Sequence, residues 1–272
     1  MNVLSDFLLM QGVFIGVVLV LHTYLGIHII RRSLIFSDLA LDQMAALGIL
    51  TGIFLGVSYG NLLSYIFALV FVLVGAFLLS FLDFEKFGIP REATIASVYS
   101  LALTASLLMG DKISGGGGYV LKTLTGSLLW TNWGVVAANI IVYLFLLLFH
   151  YIYRHKFLAL AETRDLKNKK MWEFLFFTTQ GIITVLVIPV AGVLLAYSFL
   201  MIPAAMSLLI TKKWKEGLMI GWGLGFVSCM FGIILSYKLN FPYTPTIMLS
   251  MGAFFVLILF FKIVARIRVK GN

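Results

Sequence analysis

Nine apolar runs follow one another through this chain, each close to the roughly 20 residues a helix needs to cross the hydrocarbon core of a bilayer. They fall at 7–30, 39–58, 62–82, 93–109, 133–153, 172–188, 190–210, 217–237 and 246–265. Nine spans take about 180 residues, and the rest of the 272 is too short for a second folded domain. Only 11% of the residues are charged and the mean hydropathy is +1.06, whereas a soluble domain keeps charged residues near one quarter. A soluble globular protein is excluded. The expected fold class is all-α, a polytopic transmembrane helical bundle of about nine spans, eight being the alternative, in a single domain over 1–272. The continuous apolar stretch 172–210 is expected to divide at Ile188–Pro189, which avoids one helix about 60 Å long.

The net charge of +9 does not point to nucleic acid, because the basic residues sit in short blocks between apolar runs instead of on one solvated face. With the amino terminus outside, all but Lys112, Lys122 and Lys238 of the 20 Lys and Arg residues fall in inner segments. That bias predicts an external amino terminus and a cytoplasmic carboxyl terminus. Met1 to Asp6 carry no basic region or small-residue cleavage site, so no removable leader is expected. Cys229, the one cysteine, lies inside an apolar run, which excludes an intrachain disulfide and a cysteine metal cluster.

Two connecting segments stand out. The outer loop, 110–132, holds four consecutive glycines at 115–118 and then an amphipathic stretch ending at Trp130; with no Gly-Lys-Ser/Thr after them, the glycines are not a phosphate loop. The inner loop, 154–171, carries mixed charge over 162–167 that reads as helical and solvated.

Asp38 and Asp42 are the most informative polar residues. A charge at mid-membrane costs roughly 2.5 to 3.5 kcal/mol on insertion scales and is retained mainly on a pathway or in a pair. Spaced by four, they share a helical face, and with Gln43 they offer oxygen ligands to a divalent cation. The competing reading makes Ser37 or Asp38 a cap of the second helix. Asp42, one turn deeper, is expected to line a cavity. His22 and His28 are six apart, about 120° around a helix and about 9 Å along it, too far to share one ion, and each reads first as a packing residue. Glu92 after Pro90 reads as a first-turn acid of the fourth span. The glycines of 221–225 suit close helix packing. No nucleotide loop, zinc-protease motif or nucleophile elbow occurs, leaving an intramembrane enzyme the weakest class. An ion-coupled secondary transporter and a non-transporting membrane scaffold both remain open.

The segments 21–32 (LHTYLGIHIIRR), 35–48 (IFSDLALDQMAALG), 89–100 (IPREATIASVYS), 126–130 (GSLLW), 191–205 (AGVLLAYSFLMIPAA) and 242–245 (PYTP) occur in that order over nearly the whole chain. In this it resembles the membrane permease subunits of bacterial ABC importers for zinc, manganese or iron. The resemblance implies a homodimeric, multi-pass permease of the bacterial cytoplasmic membrane, in contact with lipid and importing a divalent metal ion as substrate. No cofactor would be bound by this chain, and no nucleic acid. A separate ATPase subunit would hydrolyse ATP, and an extracytoplasmic metal-binding protein would deliver the ion. Asp38, Asp42, Gln43, His22 and His28 are the implied pathway residues. The inner loop becomes the ATPase-docking segment, with Leu160, Glu162, Arg164 and Asp165 as its contact residues. Many members carry His where this chain has Asp42, and carboxylate in place of His shifts a site toward harder cations such as manganese.

Overall fold

The computed structural model describes residues 3–82, 84–126, 131–162 and 166–270, and among them the regular structure is entirely helical. The helices are α1 (Val3–Arg31), α2 (Phe36–Phe54), α3 (Leu62–Phe81), α4 (Arg91–Lys112), α5 (Gly116–Thr125), α6 (Trp133–Ile152), α7 (Arg154–Ala161), α8 (Lys169–Ile210), α9 (Trp214–Leu239) and α10 (Tyr243–Lys270). A 3-10 turn covers Phe84–Phe87. Each of the nine apolar runs falls on one of these helices, two of them on α8. Among the described residues seven helices are long and apolar enough to cross a membrane. Their outward faces are lipid-like: Ile141, Phe145, Leu101 and Leu249 are each at least 68% exposed, a density of bare apolar side chains that water does not tolerate.

The long helix α8 breaks at Gly192 (φ 76°, ψ 164°), not at Ile188–Pro189. Proline removes one N–H but tolerates helical φ, so the chain passes Pro189 and stops where the backbone takes a conformation that favours glycine. Gly126 (φ 70°) packs its backbone against Ala191 and Gly192, leaving no room for a Cβ on either glycine. The motifs that begin at Gly126 and Ala191 therefore meet at the break; the rest of the first motif, including Trp130, lies outside the described residues.

Two expectations about the loops change. The glycine run is not a loop: α5 begins inside it, and Gly116 packs against the backbone of Gly110 on α4. In the inner loop the described helix is α7, ending at Ala161, and of the charged stretch expected to be helical, Glu162, Leu166 and Lys167 stand outside a helix. Glu162 closes α7 (φ −96°, ψ 10°), Asn168 takes φ 60°, which interrupts a helix, and 163–165 lie outside the described residues.

The chain divides into two compact units, one of 1–30, 128–143 and 198–272, the other of 31–127 and 144–197. In the first, α1, α9 and the second limb of α8 approach closely through small residues: Gly26 meets Leu200 and Ala204, and Gly221 and Gly225 meet Pro203. Gly223 faces open space, so only part of the 221–225 run serves packing. Cys229 is buried here.

In the second unit α2 is the enclosed helix, with 13 of its 19 residues buried, whereas α4 buries 4 of 22. The core joins Ala45, Ala46 and Ile49 of α2 to Ala68 and Val72 of α3 and to Val185, Ile188 and Val193 of α8. The helix that carries the carboxylates is thus enclosed within its unit, packed against α3, α4 and α8.

Candidate functional site

Asp38, Asp42 and Gln43 are buried on α2, none more than 3% exposed. The first limb of α8 runs alongside in register. Gln180 Nε2 donates to Asp38 Oδ1 at 2.7 Å and Thr184 Oγ1 donates to Asp42 Oδ1 at 2.9 Å. Both pairs are 142 residues apart and both steps are four, so α2 and α8 run parallel and stack the two bonds one turn apart. Gln180 and Thr184 are themselves buried.

The ladder leaves two acceptors unmet. Asp42 Oδ2 and Gln180 Oε1 are buried with no hydrogen-bond partner among the described residues. An unmade bond of this kind costs about 1–3 kcal/mol, more for a charged group. Neither Asp38 nor Ser37 caps α2. The N-cap is Ile35, without a side-chain capping bond, and Ser37 Oγ donates to Leu34 O at 2.7 Å. Glu92 stands in the first turn of α4, as expected, and its Oε1 also accepts the Ile35 N–H at 2.9 Å, so an acid of α4 serves the start of α2. Asp38 is free for Gln180.

His22 and His28 belong to the other unit. His22 Nδ1 lies 3.0 Å from the Val18 carbonyl, and its ring stacks on Tyr143, with centroids 6.1 Å apart. The His28 ring packs between Tyr24 and Trp214, 4.6 Å from each. These are the packing roles that the spacing favours. Among the described residues no three His, Cys, Asp or Glu side chains come together as a metal cluster, so what the structure brings together is the α2 pair with α8.

A second buried cluster has no precursor in the sequence reading. Glu173, near the start of α8, accepts from Arg32 Nη2 at 2.7 Å on Oε1, and from Arg91 Nη1 and Nη2 at 2.9 Å each, one on each oxygen. Arg91 also donates to Leu79 O. Arg32 lies over the rings of Phe176 and Phe177, 5.2 and 5.8 Å from their centroids. Burial pulls the Arg32 pKa down to about 10 against the opposing pull of Glu173, leaving it charged at neutral pH. Bidentate guanidinium–carboxylate pairing of this kind is strong and directional. It ties the segment before α2, the start of α4 and the start of α8. The basic residues read as topology markers, because partners 141 and 82 positions away leave no local spacing signal.

Leu160 of the expected docking set is 2% exposed and lines a cavity of about 350 Å³ together with Arg32, Glu92, Lys169 and Glu173. Glu162 is exposed, and Arg164 and Asp165 lie outside the described residues. On the same short helix Phe157 stacks on His150 at 4.1 Å and packs edge-on to Trp172 at 5.9 Å. An aromatic staple therefore joins α7 to the end of α6 and the beginning of α8.

Helices with lipid-like faces in both units, and in one of them an enclosed helix bearing two carboxylates, fit a polytopic membrane protein of the transport class. Residues 6–262 match the ABC 3 transport family, and the chain belongs to that family as a membrane permease. It is 26% identical over 269 residues to the high-affinity zinc uptake system membrane protein ZnuB of Haemophilus influenzae, covering 93% of this chain and 97% of that one. A metal transport system membrane protein of Chlamydia pneumoniae is 25% identical over 236 residues, 84% of this chain and 80% of the relative. Among solved structures, PsaBC from Streptococcus pneumoniae in complex with Fab superposes with a TM-score of 0.74 at 19% identity, over 95% of this chain and 91% of that one. A metal-chelate type ABC transporter in an inward-facing conformation gives 0.65 at 16% identity, over 91% and 84%.

Proposed function

We propose that this chain is the permease subunit of an ABC importer and carries a divalent metal ion inward across the bacterial cytoplasmic membrane. The observation that carries the reading is the buried, half-satisfied carboxylate pair on the interior helix α2. Asp38 and Asp42 form the negative lining of the path, and Gln43 is secondary. His22 and His28 shape α1 in the other unit. Relatives named for zinc uptake and metal transport support this cargo class.

ATP is hydrolysed on a separate ATPase subunit, docked on α7 and the loop that follows it. A solute-binding protein delivers the ion at the opposite face, and two copies of the permease complete the path. The amino terminus faces outward in this reading, which the distribution of basic residues supports. The metal passes through as substrate, and the chain holds no cofactor of its own. Motion of the docked segment reaches α8 through the aromatic staple and the Glu173 clamp. The same helix carries Gln180 and Thr184 on the carboxylates, so a two-state shift of α8 changes the lining of the path.

Asp42→Ala tests this reading in cells grown at limiting metal: uptake falls at least tenfold, while membrane insertion and ATPase association stay as in the unaltered chain. Uptake equal to the unaltered chain's removes Asp42 from the path.

A further inference from the structure

The polar strip between α2 and α8 is not explained by packing alone. Gln180 is fully buried in a helix of Phe, Thr, Ile and Val neighbours, and an aliphatic side chain of similar volume would fill that place without a polar atom to satisfy. Its amide orientation follows from its partner. With Asp38 Oδ1 as the acceptor, the amide nitrogen is the atom 2.7 Å away and the carbonyl oxygen points away from that bond. That Oε1 and Asp42 Oδ2 are two acceptors in one strip, a helical turn apart in register, with no hydrogen-bond partner among the described residues. A proton on Asp42 Oδ2, donated to Gln180 Oε1, is one way to meet both. A cation answers both, since it accepts electron pairs from carboxylate and neutral carbonyl oxygens alike.

Resting on the import reading above, we propose that Gln180 of α8 is a cargo ligand. Its amide N–H holds Asp38 in place while its carbonyl oxygen joins Asp42 in an all-oxygen set. With Thr184 holding the other carboxylate oxygen, the donors on this strip are carboxylate, carbonyl and hydroxyl. Such a set suits manganese-like cations, whereas zinc is better served by imidazole or thiolate. Asp42 and Gln180 lie on different helices, so sliding α8 against α2 by a fraction of a turn would separate them. Ion release would then follow from helix motion without a protonation step.

The test is manganese binding to the purified full-length chain in detergent, followed by electron paramagnetic resonance with zinc as competitor, and with thermal unfolding of each variant alongside. The unaltered chain binds manganese and Asp42→Asn loses binding. Gln180→Met, close in volume but without the carbonyl, binds at least tenfold more weakly, and Gln180→Glu retains binding. Gln180→His adds a nitrogen coupling to the bound-manganese spectrum and shifts competition toward zinc, a readout that a role confined to holding Asp38 would not produce. Binding by Gln180→Met equal to the unaltered chain, with Asp42→Asn still defective, overturns the role of Gln180 and leaves the path intact. Equal binding by Asp42→Asn and the unaltered chain, or none by the unaltered chain, overturns the path and the ligand together. Should Gln180→Met fail to fold, the spectrum of Gln180→His decides: nitrogen coupling supports the assignment, and its absence from bound manganese overturns it.

Discussion

Among the single residues, Glu173 carries the heaviest electrostatic burden, because one buried carboxylate pairs with two guanidinium groups, that of Arg32 buried and that of Arg91 partly exposed. Removing one member of such a set strands the others, and the cost is the desolvation of an unpaired charge more than the loss of a contact. Glu173→Gln therefore lowers stability by about 3–5 kcal/mol, read as a drop in unfolding temperature of the detergent-solubilised chain. Arg91→Lys, which keeps the charge but not the two-pronged geometry, costs less. A loss no larger for Glu173→Gln than for Arg91→Lys would deny the clamp its structural role. Asp42 was legible in the sequence because a carboxylate well inside the apolar run 39–58 is expensive wherever the chain folds, and Asp38, one residue before that run, shares its helical face. Glu173, Gln180 and Thr184 were not: each acquires meaning from a partner more than 80 positions away, and a lone Gln or Thr in a membrane helix is too cheap to stand out.

At the level of elements, α2 and α8 divide the labour. Helix α2 carries the charge and is shielded by neighbours, and α8 supplies the donors and contains the break. The division into apolar runs was readable from hydropathy alone, since bilayer thickness fixes run length. The position of the break was not, because proline signals it in sequence while the backbone φ that demands glycine, together with the segment at Gly126 that presses against it, exists only in the fold. Any Cβ at Gly192 meets the Gly126 backbone, and φ 76° disfavours an L side chain independently. Gly192→Ala and Gly126→Ala should each cost more than the roughly 0.5–1 kcal/mol of ordinary glycine–alanine differences, with a lower yield of folded protein in membranes, whereas Gly117→Ala, which meets open space on α5, should be neutral or slightly stabilising. Equal behaviour of the three variants would mean that the contact at the break carries no strain.

At the scale of the whole molecule, membership of the ABC 3 transport family places a membrane permease in a larger machine, and the proposed couplings reach beyond this chain. A photocrosslinker in place of exposed Glu162 should label a co-expressed ATPase subunit, and one at exposed Leu101 on α4 should label lipid instead; labelling of the ATPase from Leu101 alone would misplace the docking segment. The central claim, that ATP hydrolysed elsewhere moves a metal ion past the α2 carboxylates, is tested most directly by manganese accumulation in sealed proteoliposomes holding the permease, its ATPase subunit and its binding protein. ATP-dependent accumulation that the double variant Asp38→Asn, Asp42→Asn reduces at least tenfold, with the complex still assembled, is the expected result. Accumulation that proceeds without nucleotide, or that survives in the double variant, would contradict it.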